Sequence, residues 1–145
     1  MNHLPPIVGA QKVIDVFGCF PAFHDAEIVH MAFSRGEPDA CAPTIDFTLH
    51  GWEMTSDVEE SGHLKLIKHH LVDFRFFGVE YMKLDGWNHQ NVLFELIIKT
   101  IEQPTDNTLI EVELSTSFGL DGNFRAVSGE VLDVRPCDAD GVPVS

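Results

Sequence analysis

Thr44-Ile45-Asp46-Phe47-Thr48-Leu49-His50-Gly51-Trp52 is the stretch that sets the fold class. Ile45, Phe47 and Leu49 fall on one side of a pleat, and Asp46, Thr48 and His50 on the other. That is the pattern of a half-buried antiparallel strand. Working outward, Glu27 to Arg35 repeats the period, with Val29, Met31 and Phe33 apolar and His30 and Ser34 among the alternates. Gly36-Glu37-Pro38-Asp39 between the two is turn chemistry, so they read as a hairpin. Further on, Val72, Phe74 and Phe76 alternate with Asp73 and Arg75. Val92, Phe94, Leu96 and Ile98 alternate with Glu95 and Lys99, and Ile110, Val112 and Leu114 with Glu111 and Glu113. A last strand spans about Phe124 to Val134, with Ser128-Gly129 as a bulge. Pro104-Thr105-Asp106-Asn107 and Gly119-Leu120-Asp121-Gly122 are turn signals, and Asp121-Gly122 suits a tight hairpin. Thr55 to Gly62 reads as an acidic loop. Before the strands, Val13, Ile14, Val16 and Phe17 form one face of a short helix that Gly18 stops. The expectation is an α+β fold, mostly β: about six antiparallel strands in meander order and one N-terminal helix. Leu93 and Ile97 fall on the outward side of their strand, so they need cover from that helix or from a second subunit.

The chain has 145 residues, 44% hydrophobic and 22% charged, which fits a single domain over 1–145. Order is expected over about 7–136, with a frayed tail over 137–145. No apolar run approaches the roughly 18 residues of a membrane span. Met1 to Pro6 lacks a basic, then apolar leader, so a cytoplasmic home is expected. Nine Lys and Arg against 23 Asp and Glu leave a formal charge of −14. Nucleic-acid binding and an anionic membrane surface are disfavoured, because both need clustered cations. A basic protein partner would be attracted and steered. The three cysteines, Cys19, Cys41 and Cys137, form no CxxC pair, which argues against a zinc ribbon or a disulfide framework.

Several residues are chemical candidates. If the first two strands form a hairpin turning near Asp39, His30 lies opposite Thr48, with Asp46 and His50 diagonal to it. His30, Asp46 and His50 are then the one cluster with mononuclear metal-site character. His69 and His70 are strand neighbours pointing to opposite faces, so they cannot chelate one ion together. His24-Asp25 follows the helix; an Asp beside an imidazole can fix its tautomer for base catalysis, or can simply lock the loop. No GxSxG, HExxH, P-loop or Gly-rich dinucleotide turn accompanies it. Lys83-Leu84-Asp85-Gly86-Trp87-Asn88-His89-Gln90-Asn91 is the densest polar-aromatic stretch. There Asn88, Gln90 and Asn91 read as loop-knitting amides, and Trp87 as the natural anchor for a partner.

Two strings carry a resemblance. Phe17-Gly18-Cys19-Phe20-Pro21-Ala22-Phe23-His24-Asp25-Ala26-Glu27-Ile28 is one. Phe76-Phe77-Gly78-Val79, followed by Leu84-Asp85-Gly86-Trp87-Asn88-His89-Gln90-Asn91-Val92, is the other. With the hairpin pattern, they resemble the immunity protein 50 type of bacterial polymorphic-toxin immunity proteins, over about Val13 to Pro136. The resemblance implies a stoichiometric toxin neutraliser without an active site or cofactor. Its expected partner is a basic toxin such as a nuclease. The expected contact surface is acidic, with Trp52, Glu59, Glu60 and Trp87. The alternatives are a metal-binding protein or metal-dependent hydrolase using the histidines, and a structural homodimer.

Overall fold

The computed structural model describes residues 4–102 and 108–144. The expected turn at Pro104–Asn107 therefore lies outside the described residues. One helix, α1 (Ala10–Phe17), precedes eight strands: β1 (Glu27–Ser34), β2 (Thr44–Val58), β3 (Leu64–Phe77), β4 (Tyr81–Asp85), β5 (Val92–Glu102), β6 (Thr108–Phe118), β7 (Asp121–Ala126) and β8 (Ser128–Pro136). The sheet is antiparallel and mostly β as expected, but it has eight strands rather than about six. β4 runs into the start of the polar-aromatic stretch, where no strand was expected, and the last expected strand is two strands, broken at Val127.

The strand order is β4-β7-β6-β5-β1-β2-β3-β8, which corrects the simple meander. Two three-stranded meanders, β1-β2-β3 and β5-β6-β7, survive inside it. The chain leaves the first group after β3 to form β4 beside β7, then returns through β8 to lie beside β3. The two crossings touch. Val127 donates its N–H to the Phe77 carbonyl at 2.9 Å, and a Cβ on Gly78 would come within 2.7 Å of Val127 Cγ2. Gly78, at φ 69°, supplies both the close approach and the left-handed backbone.

The two groups are joined on their other side by one strand pair, Glu27 with Val92. Backbone bonds from Leu93 N–H to Ala26 O and from Ile28 N–H to Asn91 O extend the seam. The sheet folds over so that the inner faces meet. Phe124 of β7 lies 5.1 Å from Phe76 and 6.5 Å from Phe47, ring to ring. Phe47 stacks on Phe74 and Phe76 at 4.9 and 5.8 Å. This aromatic cluster, with Leu49, Val72, Val112 and Leu114, is the core.

Bulges shift the phase that alternation had set. β1 is irregular between Ile28 and His30, which buries Ile28 and exposes Val29. β5 is irregular on both sides of Leu93, so Leu93 is fully buried and Phe94 is exposed. Leu93 therefore needs no cover from the helix, contrary to the expectation. α1 instead lays Ala10, Val13 and Phe17 against β8 and β3, and Gly18 closes it at φ 83° with its N–H on Ile14 O. The β2–β3 hairpin extends through what was expected to be an acidic loop. Only Glu59–Gly62 turns, with Glu59 N–H on His63 O. The β6–β7 turn is Gly119-Leu120, and Asp121-Gly122 already belongs to β7.

Candidate functional site

β1 pairs with β2 along its length but with β5 only at Glu27. From His30 to Ser34 its second edge has no strand partner among the described residues. Among the described residues β4 pairs with β7 alone, so its second edge is open as well. Between these edges lies a groove of about 500 Å³, lined by Met31, Phe33, Met82, Leu84, Trp87 and Leu120. Met31 and Phe33 stand opposite Phe47 and Ile45, while Met82 and Leu84 stand opposite Phe124 and Gly122. The groove is thus the flank of the core, left open where the two strand groups diverge. Phe33 is 55% exposed, Met82 48% and Trp87 51%.

The loop that carries Trp87 is held by Asn91, a buried amide. Asn91 Oδ1 accepts from Asn88 N–H at 3.1 Å and from Leu120 N–H at 3.0 Å, and its Nδ2 donates to Asn88 O at 2.8 Å. Asn88 Oδ1 accepts from Gln90 N–H at 2.7 Å. Asn91 therefore ties the β4–β5 loop to the β6–β7 turn at the groove's edge. At the mouth, Asp85 and Asp121 are direct register partners on β4 and β7. Neither has an ion-pair partner among the described residues.

The other side of the sheet is polar. Arg75 grips Asp46 with two bonds of 2.8 and 2.7 Å, and the carboxylate holds the guanidinium proton still more firmly than usual. Thr48 donates to Asp73, which also accepts from Arg135. His50 sits in the same row, buried, with Nε2 3.0 Å from Nδ1 of His69. Trp52 packs edge-on to His50 at 5.1 Å. The segment after β8, expected to be frayed, lies over this pair. Cys137 N–H donates to His69 O at 3.0 Å, and a Cβ on Gly141 would stand 3.3 Å from His50 Nδ1. Burial pushes the Cys137 thiol up.

His30 does lie opposite Thr48, but Asp46 is committed to Arg75 and His50 to His69. No three potential metal ligands converge among the described residues. His69 and His70 separate as expected: His69 faces His50, and His70 packs edge-on to Phe17 at 5.9 Å. The His50–His69 bond was missed. A hairpin turning at Glu59–Gly62 puts His50 opposite Leu71, so the signal was present in the sequence.

Burial lowers the His50 pKa from its ordinary 6.5; His69 adds to the shift, and Asp138 and Asp140 oppose it. The folded state therefore favours neutral His50, while the unfolded chain takes up the proton below about pH 6.5. This contribution to stability is complete above that pH and is lost as pH falls below it. Going from about pH 8 to about pH 5 should lower the denaturation midpoint, and His50→Asn should reduce the drop. Superimposable pH profiles for the two proteins would show that the pair is not linked to stability.

His24 is exposed. Its Nδ1 bonds Phe94 O at 2.9 Å and its Nε2 stands 3.5 Å from Asp25. Phe23 and Asp25 have φ values of 59° and 68°, so His24 sits in a tight turn that Asp25 N–H fastens to Leu93 O. Glu59 and Glu60 are exposed at the tip of the β2–β3 hairpin. Trp52 lines a depression with Pro21, His24 and Met54, and this depression shares no residue with the groove at Trp87. Among the described residues, no helix is long and apolar enough to cross a membrane.

A family model described as Immunity protein 50 matches residues 9–136. No curated protein and no solved structure matches the chain.

Proposed function

The chain belongs to the immunity protein 50 family, and from that we propose that it neutralises a cognate toxin by binding it one-to-one. The observation that carries this reading is the reach of the match. Residues 9–136 include α1 and all eight strands, so the whole fold is shared rather than a short motif. A protein that inactivates by occupying its partner needs no active site of its own. The charge of −14 supports a basic toxin, such as a nuclease, and a fast encounter with it in the cytoplasm. Trp52, Trp87 and the Glu59–Glu60 tip are the candidate contacts.

The test is a titration of a candidate basic toxin domain, sought among the genes that neighbour this one. Toxin activity should fall linearly with added protein and vanish at equivalence. Complete loss of activity at a small fraction of equivalence would mean turnover and overturn the reading. Raising salt from about 50 mM to about 500 mM should weaken association at least tenfold, mainly by slowing the on-rate. A salt-independent affinity would remove the electrostatic part and leave the rest.

A further inference from the structure

We propose that the open seam between β1 and β4 receives an extended apolar segment of the toxin. The segment adds to the free edge of β4 as an extra strand and places a lysine or arginine against Asp85 and Asp121. This rests on the toxin-neutralising reading and gives it a place and a mode.

Three observations converge on the seam. The first is the backbone. Among the described residues, β4 is paired on one side only, and β1 has no strand partner on the facing side from His30 to Ser34. A row of free N–H and C=O groups is a template for another strand. The second is the lining. Phe33, Met82 and Trp87 are each about half exposed, and they continue the core outward instead of standing singly on a polar face. An inserted strand would cover them with its own alternate side chains. Met31 and Met82 give the floor flexible, polarisable side chains that adapt to the shape of the insert.

The third observation is charge, and it selects the occupant. Asp85 and Asp121 are register partners, and among the described residues neither forms an ion pair. A second copy of this chain would bring the same carboxylates and another charge of −14 to the contact. A basic segment removes the repulsion. The occupant is therefore a toxin strand with alternating apolar residues and a terminal cation.

The experiment measures binding of the candidate toxin domain used in the titration to wild type and to four variants. These are Trp87→Ala, Met82→Glu, the double variant Asp85→Lys with Asp121→Lys, and Asp15→Lys on α1 as a charge control. Amide hydrogen exchange is followed with and without toxin. Trp87→Ala and Met82→Glu should weaken binding at least about tenfold. The double reversal should do so at low salt and less at high salt, and Asp15→Lys should have the smaller effect. The β4 amides should exchange more slowly in the complex. Trp87 sits in an exposed loop, so its truncation keeps the test decisive should Met82→Glu disturb the strand.

Wild-type binding that the seam variants leave unchanged, with β4 exchange unaltered, overturns the seam and leaves the neutralising reading standing. Wild type that binds no toxin overturns both. A wild-type dimer in sedimentation that Met82→Glu dissolves would assign the seam to a second copy and overturn the proposal.

Discussion

Phe47→Ala is expected to cost about 3–5 kcal/mol, the range for truncating a fully buried aromatic ring. Phe47 is 1% exposed. It stacks on Phe74 and Phe76 of β3 and meets Phe124 of β7 edge-on. These rings belong to both strand groups, so the cavity left by truncation opens at the place where the folded-over sheet closes. Backbone on both sides is fixed by strand pairing, which limits how far the walls can collapse to fill it. A domain of this size has about 5–15 kcal/mol in total, so a large share of it would be lost. Phe47→Leu keeps most of the volume and should cost less. The measurement is a denaturant midpoint with the slope checked for constancy. A loss below about 1 kcal/mol would show that the ring cluster does not hold the two groups together.

Asn91→Ala is expected to have the second largest effect, about 3 kcal/mol, through polar satisfaction rather than volume. One amide serves two backbone N–H groups and one carbonyl. Removing it leaves the buried Leu120 N–H without that acceptor and frees the turn that carries Trp87. Each buried group stranded in this way costs about 1–3 kcal/mol, less where water can reach it. The variant should also exchange the amides of Asn88 and Leu120 faster than any other region. If stability falls but those two amides keep their protection, the loss lies elsewhere and the account of the loop is wrong. Asn91→Asp retains the acceptor but loses the donor and buries a charge, so it should not rescue the protein near neutral pH.

How much of this was legible in the sequence depended on range. Alternation located most strands because one face of each is buried, and it even placed His30 opposite Thr48. It failed at Val29 and Phe94, where one inserted residue reverses the faces and no composition signal marks the bulge. β4 was missed because Tyr81 to Asp85 is short and mostly exposed, at the sheet's edge, so its own pattern is weak. The strand order was out of reach for a different reason. Val127 alone separates β7 from β8, and nothing in one residue says that the chain changes neighbours there. For the same reason the seam could not be foreseen. Trp87 drew attention by its type alone, but the groove beside it exists only because β1 and β5 part after one pair. The amide role of Asn88 and Asn91 was readable from their place in a turn. Leu120, the distant partner, was not.

The packing of α1 on β8 has a consequence for how the protein is made. Val8 forms a parallel bridge with Glu130, and Lys12 reaches the carbonyls of Val131 and Leu132. The helix that precedes all eight strands is thus completed by β8, the strand that follows the other seven. An eight-residue helix is too short to persist alone in water. At about 5–20 residues per second, the early hairpin waits several seconds on the ribosome with one face uncovered. The nascent chain stays vulnerable to proteases and chaperones until β8 has emerged as far as Pro136 and α1 can pack on it.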